Sequence, residues 1–567
     1  MGEDFATYTG SGWEAYRFNE EVDLEVTKCW ALAISYSIPV RKPFHHWALQ
    51  FYDIRSFAWA ADQLMLPSCK GLSARSIEGL YYVGLRPTTA EEEKQREPIH
   101  RERMKPWIED FGAIWRGQLI PEMMAHFEHF KNLDLTKLTD FQLLEEFEYY
   151  LKVKQRTWEI HFLPMYASFI SYREFKMLYQ ELMGVEDEDN QFKRLMTGFK
   201  TKIYEVDREL WRLGDQAVEL GLESVFKSTP DDEKLLANLK GSGAGKEWLG
   251  DFYKSLHEYC WRTETLLDCC AITWIEKPTL ALPVIRGDMA KGGGFTMDEE
   301  YNRLVKEREE TEKEVLSRVP GAKREWFKTL MKAAQWSGIY SEEHNFTVDC
   351  YMPAIGRHIL MEIGRRATKA GLLDEPEDIT FMVPEEIITR VLANMETQAA
   401  RRIVRQRKEE WQGFINRAPK MVEEHFLVGD SDWFMANASR DPIMWVLAAV
   451  PKIKPELKAD LYGAASAPGV AEGIARVLLD VAQLPELQPG GILVVPSTNP
   501  SWHPAFNFVK AAVTDAGGAL CHAIIVAREY GLPCVAGTQE ATIKIKTGDR
   551  IRVDGDNNAV YILERAK

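Results

Sequence analysis

The feature that most constrains this chain is a change of hydrophobic period near residue 460. Upstream, apolar residues return every three or four positions, the spacing that lays one stripe along an α-helix. Downstream they come in short runs bounded by Gly, Pro, Asn and Asp, the pattern of β-strands joined by turns. A chain that switches period in this way is multidomain: a large, mostly α-helical body followed by a C-terminal α/β unit. Its 567 residues are ample for both.

The helical pattern is clearest over residues 105–440. Trp326, Leu330 and Ala334 recur every four positions, with Gly338 where a C-terminal cap is expected. Leu360, Ile363, Gly364, Ala367, Gly371 and Leu372 form a second stripe that stops at the Asp374-Glu375-Pro376 break. Segments 140–182, 191–221, 299–318 and 384–416 read the same way, and residues 1–104 are also expected to be mostly helical. Pro451, Pro455 and the charged residues between them mark a linker. Strand-type runs follow at 474–479, 492–495, 511–513, 534–536, 551–553 and 559–563, interrupted by one helix from His522 to Gly531. The boundaries expected are a helical body over 1–450, a linker over 451–462 and an α/β module over 463–567.

Composition excludes several function classes. With 70 Lys+Arg against 86 Asp+Glu, the net charge of −16 lacks the basic footprint of a nucleic-acid binder. The eight cysteines form no C-x-x-C pair, so neither a zinc ribbon nor a dithiol redox motif is expected, and reduced thiols in a cytoplasmic protein fit best. The N-terminus carries acidic residues where a signal peptide would be basic, and the best apolar run, 443–450, is too short for a bilayer. No membrane association is expected. His45-His46 and His126/His129 lack a neighbouring carboxylate or thiol at ligand spacing, so no metal site is expected.

Two glycine-rich stretches are weak nucleotide candidates. Gly241-Ser-Gly-Ala-Gly-Lys246 has the wrong glycine spacing for a phosphate-binding loop, carries Glu247 in place of Ser/Thr, and follows a helix. Lys291-Gly-Gly-Gly294 reads as a joint. The stretch TDAGGALCHAIIVAREYGLPCVAG over residues 514–537 is much more specific. A strand ends at Thr514, Gly517 and Gly518 permit a tight turn, and His522 falls in the first turn of a helix whose inward stripe is Ile524, Ile525 and Ala527. A histidine there feels the positive end of the helix dipole, which favours the neutral, nucleophilic ring, and the free N–H groups nearby suit a phosphoryl group. A histidine that merely closes a strand–turn–helix corner is the plain alternative.

This stretch resembles the phosphohistidine motif of the PEP-utilising enzymes, which include phosphoenolpyruvate synthase, pyruvate phosphate dikinase and rifampicin phosphotransferase. Flanking segments GAASAPGVAEG (463–473), PGGILVVP (489–496), TNPSW (498–502) and GDRIRVDG (548–555) resemble the rest of that family's mobile domain in order and spacing. The resemblance implies a swivelling phosphohistidine domain in which His522 is the catalytic carrier, with Thr514, Gly517, Gly518, Cys521 and Arg528 around the phosphoryl group. One departure is Leu520, where phosphoenolpyruvate synthases and dikinases usually have Thr; it puts regulation through that hydroxyl in doubt.

A second, shorter resemblance lies in the helical body. Tyr340-Ser-Glu-Glu-His344-Asn-Phe-Thr-Val-Asp349, with Arg357, Gly364-Arg365 and residues 377–381, is similar to the helical acceptor domain of rifampicin-phosphotransferase-like proteins. It implies acceptor-site roles for Glu343, His344, Asp349 and Arg357; the plain alternative is a polar helix start with capping roles. Nothing in the chain resembles an ATP-grasp domain or a phosphoenolpyruvate-binding barrel. The combination resembles the phosphohistidine-bearing subunit of phenylphosphate synthase. That resemblance implies a separate ATP-grasp partner supplying ATP and Mg²⁺, no permanently bound cofactor, and a phenolic or other small hydroxyl acceptor. Sixteen of the 17 Trp precede residue 456, which suits core packing or an aromatic-lined acceptor site.

Overall fold

The computed structural model describes residue 24 and residues 27–566, except 39, 187, 264, 266, 292–296, 393–396, 448–450, 452, 480, 500, 501 and 507. The chain divides into two compact units. The first comprises 1–167, 266–271 and 347–445; the second comprises 168–265, 272–346 and 446–567.

The first unit adds a sheet to the mostly helical N-terminal region expected. It contains an antiparallel sheet of β1 (Cys29–Leu32), β2 (Cys69–Ile77), β3 (Leu80–Pro87) and β4 (Leu427–Gly429), in the order β2-β3-β1-β4. Ile77 pairs with Leu80 across a two-residue turn, Glu78-Gly79, whose φ angles are +50° and +76°; this turn twists with the strands. α1 (Pro43–Gln63) packs on β2 so closely that a Cβ on Gly71 would lie 2.6 Å from the Phe57 carbonyl oxygen. The other long helices here are α2 (Ala90–Ile114), α3 (Ile120–Asn132), the first part of α4 (Asp140–Met183), and two more described with the site below. α2 begins at Thr89 with a reciprocal capping box to Glu92.

The second unit holds the rest of α4, then α5 (Asn190–Leu195), α6 (Lys202–Glu219), α7 (Gly243–Tyr259), α8 (Met297–Arg318) and α9 (Arg324–His344). α9 runs straight through Gly338, so that glycine is not the expected cap. Ser242 caps α7, its Oγ accepting from Gly245 N at 2.9 Å, and a Cβ on Gly245 would meet the Leu239 carbonyl oxygen of the preceding helix at 2.0 Å. The glycine run at 241–246 is therefore a close helix–helix corner. The run at 292–294 lies outside the described residues.

The strand-type runs form an eight-stranded sheet, ordered β5-β12-β11-β7-β8-β9-β10-β6. Its strands are β5 (Leu461–Tyr462), β6 (Ala465–Ala467), β7 (Val470–Val477), β8 (Ile492–Val495), β9 (Ala511–Thr514), β10 (Cys534–Ala536), β11 (Arg550–Asp554) and β12 (Ala559–Glu564). β7, β8, β9 and β10 are parallel; the outer pairs are antiparallel. All four residues of β8 are buried, because apolar clusters cover both faces of the sheet, and this is why the run is uniformly apolar. Short helices at His503–Phe506 and Ala541–Lys544 add to the one helix expected. The sheet begins at Leu461, and Asp460 N already donates to Val560 O at 3.0 Å, so the end of the charged linker stretch is laced to the module. Among the described residues no helix is long and apolar enough to cross a membrane.

Candidate active site

The crossover from β9 to its parallel neighbour β10 carries α12 (His522–Glu529), and the loop before it leaves the C-terminal edge of the sheet, where open α/β folds bind ligands. Thr514 is buried at that edge, its Oγ1 donating to Ala516 O at 2.7 Å. Gly517 has φ +128°, and a Cβ there would lie 2.7 Å from Cys521 Sγ. Only glycine lets the chain pass at this point. Gly518 O accepts from Cys521 N at 3.1 Å, and Cys521, in extended conformation, is the N-cap of α12. Burial pushes its thiol up to about 11, which keeps it protonated and unreactive at neutral pH.

His522 is the first residue of α12 and is 6% exposed. Its Nδ1 lies 3.2 Å from Glu342 Oε2 and 3.4 Å from Oε1, on α9 of the same unit. A carboxylate only accepts, so Nδ1 carries a proton and, in the neutral ring, the lone pair sits on Nε2. Phe506 stands edge-on to the imidazole at 6.4 Å. Ser341, one residue before Glu342, donates from Oγ to Leu520 O at 3.0 Å. Glu342 was not among the residues singled out from sequence. Its neighbour Glu343 was, and helical geometry turns adjacent residues about 100° apart.

The remaining candidates are placed as follows. Arg528 reaches Ala519 O (3.4 Å), Ser466 O (3.3 Å) and the carboxylate of Glu188 (3.8 Å). Glu343 and His344 lie in the last turn of α9, which continues into a wide turn, Asn345–Tyr351, before α10 (Met352–Lys369). They therefore end a helix, which removes the alternative reading of these residues as a polar helix start. His344 stacks on Tyr340 with centroids 4.8 Å apart, and its Nδ1 donates to Tyr340 O at 2.9 Å. Burial lowers its pKa to about 4.

Asp349 and Arg357 belong to the other compact unit. Asp349 O accepts from Leu267 N at 2.8 Å, and its Oδ1 is 3.8 Å from His161 Nε2. Arg357 donates to Cys270 O at 3.0 Å and pairs with Glu377. α10 ends at Lys369, before the expected break at 374–376: Gly371, counted in the helical stripe, lies two residues past the helix at φ +75°. α11 (Thr397–Glu424) closes this unit's helices. Two of the histidines without a carboxylate at ligand spacing in the sequence gain one in the fold. His45 Nδ1 lies 3.5 Å from Asp268 and His129 Nε2 lies 2.8 Å from Glu146, so each has a carboxylate partner, supplied by the fold.

Residues 487–558 match the model of the PEP-utilising enzyme mobile domain, which brackets β8 to β11 and the His522 loop. The likeness to PEP-utilising enzymes thus covers the segment that presents His522. Residues 161–340 match the rifampicin phosphotransferase fourth domain, covering the end of α4 and most of α9. Among curated relatives, an uncharacterised phosphotransferase of Bacillus subtilis (strain 168) is 28% identical over 451 residues, 78% of this chain and 52% of that protein. A rifampicin phosphotransferase of Streptomyces sviceus is 30% identical over 349 residues, 60% of this chain and 37% of the relative. The phosphoenolpyruvate synthase of Pyrococcus furiosus is 44% identical over 106 residues, 19% of this chain and 13% of that enzyme. The chain thus spans about half the length, or less, of these relatives.

Proposed function

We propose that this chain is a phosphotransferase that carries a phosphoryl group on Nε2 of His522 to the hydroxyl of a small molecule. The observation that carries this reading is the hydrogen bond from Nδ1 of His522 to Glu342, which leaves the other ring nitrogen as the nucleophile. Family resemblance supplies the rest. An ATP-grasp partner, with Mg²⁺, transfers the β-phosphoryl of ATP to Nε2 with loss of AMP, and a water molecule takes the γ-phosphoryl, releasing phosphate. In the second step an acceptor oxygen attacks phosphorus as the P–N bond breaks. Nε2 recovers its lone pair, and the hydroxyl proton passes to a nearby base or water. Such transfers need alignment and charge neutralisation more than covalent help.

Our choice of acceptor is a phenolic hydroxyl, giving phenyl phosphate. A phenol titrates near ~10, as tyrosine does, so modest base assistance suffices. The match to the rifampicin phosphotransferase fourth domain favours a second reading, an alcohol on an antibiotic-like molecule. A protein acceptor would make the chain a phosphocarrier.

Potassium phosphoramidate, a chemical donor to histidine, makes the test independent of any partner. The chain should take one acid-labile phosphoryl group, absent from His522→Ala. Adding phenol should then release phenyl phosphate, seen by ³¹P NMR. A stable label that phenol does not remove but an alcohol does moves the choice to the second reading. A label that leaves only to another protein sinks the enzyme reading. ATP and Mg²⁺ alone should leave the chain unlabelled, and self-labelling would remove the need for a partner.

A further inference from the structure

Besides the His522–Glu342 pair and the Ser341–Leu520 hydrogen bond, charged side chains with little exposure join the helices and the α/β module of the second unit. Lys193 on α5 is 3% exposed, and its Nζ donates across to Ser466 Oγ on β6 (2.9 Å) and to Gly555 O beyond β11 (3.2 Å). Glu188, just before α5, accepts from Tyr172 OH (2.8 Å) and Lys176 Nζ (2.9 Å) on α4 and lies 3.8 Å from Arg528 Nη2 on α12. At the end of α12, Glu529 accepts from Gly198 N at 3.1 Å.

Charges at such a seam behave differently from apolar side chains. Docking costs them their water, and separation returns it, so the contact is specific without being permanent. Glu188 has Tyr172 and Lys176 on its own side of the seam, and Arg528 has the carbonyls of Ala519 and Ser466 on its side. Each charge is therefore tolerable with the module away and complementary with it present. Burial pushes the Glu188 carboxyl up, but Lys176 and Arg528 outweigh it and hold the pKa below the usual range, so it stays charged at neutral pH.

We propose that Glu188 and Lys193 are positioning residues for phosphoryl discharge: they dock the module through Arg528, Ser466 and Gly555, hold His522 against Glu342, and release it reversibly. The proposal rests on the reading of His522 as a phosphoryl carrier. It gives Arg528 a docking role beside the phosphoryl-binding one implied by resemblance.

Nitroxide labels at Met177→Cys on α4 and Ile543→Cys in the module, both exposed positions, report docking in the full chain by pulsed electron paramagnetic resonance. The unmodified interface should give one dominant distance. Glu188→Arg should add a second, longer population, and Glu188→Arg combined with Arg528→Glu should restore the first. Lys193→Met, nearly the same size, should also open the seam, and Lys193→Arg should open it less; melting curves identify any variant that has simply unfolded. With phosphoramidate as donor, labelling of His522 in Lys193→Met should be as fast as in the wild type or faster. Discharge to phenol should slow about tenfold or more, the scale for breaking a buried charged contact. Identical distance distributions in all folded variants overturn the docking proposal. If distances respond as expected but His522 takes no label, the carrier reading fails while docking stands.

Discussion

The two compact units both bury histidine, and they manage it differently. In the first, His45 is fully buried beside Asp268, and desolvation drives its pKa down to about 3 although that carboxylate pulls the other way. His46 is likewise held well below its ordinary value by burial. These rings are structural, neutral and enclosed. In the second unit His522 opens a helix at a sheet edge, with a carboxylate on one ring nitrogen. Both His45 and His522 have a carboxylate beside Nδ1; what differs is that His522 stands at the start of a helix on a sheet edge.

The strongest way to break this comparison is to remove each ring. His522→Ala should lose all phosphoryl labelling while melting near the wild-type temperature. His45→Ala should lower stability by about 1–3 kcal/mol yet keep labelling per folded molecule. Labelling in the first variant, or its loss in folded molecules of the second, would reverse the roles assigned.

Next in size is the orienting carboxylate. Glu342→Ala should slow labelling and discharge about 10–100-fold, by analogy with metal-bound histidines that lose the carboxylate on their other ring nitrogen. Glu342→Gln can still accept from Nδ1 and should recover part of the rate. Equal rates in both variants and the wild type would show that the ring is held by packing alone.

The loop that presents His522 should be less forgiving than loops elsewhere. Gly517→Ala places a side chain at φ +128° and against Cys521, a backbone cost of about 1–3 kcal/mol. Gly321→Ala, with nothing within 4 Å of the added Cβ, should change stability little. Chemical denaturation of the two variants checks the contrast.

The smallest effect expected is in pH dependence, and its sign differs between the units. Burial raises Glu529 to about 7, although the amides of Gly198 and Phe199 and the charge of Arg308 pull it down; Glu342 adds to the rise. Its folded pKa lies above the unfolded one. Its contribution is therefore complete below about 4.5 and is lost as pH rises through about 7. Asp515, raised by burial to about 6, acts in the same direction. His45 acts oppositely: stability is present above about 6.5 and is lost as pH falls towards 3. Glu529→Gln should match the wild type near pH 4 and exceed it increasingly up to pH 7. Hydrogen exchange resolved by unit would test this, and a constant difference across that range would contradict the shift.

The α/β module was easy to read because its physics is local. Short apolar runs, Asp554-Gly555 and the glycines before His522 each act within a few residues, and the strands expected at 492–495 and 534–536 coincide with β8 and β10. The N-terminal sheet was missed for an equally physical reason. β2 and β3 are buried on both faces, so no period-two alternation appears, and Glu78-Gly79 is a less usual turn pair than Asn-Gly. The tryptophans were open to two readings, and Trp30, Trp115, Trp158 and Trp248 all prove fully buried, as core packing requires.

What the chain determines by itself is the identity and presentation of the proposed nucleophile. His522, the glycines that turn the backbone before it and the apolar stripe behind it lie within one short stretch whose geometry follows from steric and helical rules. Only tertiary structure decided its partners. Glu342 stands 180 residues away, Glu188 and Lys193 approach from α5 and the residues just before it, and Asp268 reaches His45 from across its own unit. Adjacent glutamates look alike in sequence. Which one faces the imidazole depends on the rotation of α9 and on where the module rests, and both are set by long-range packing.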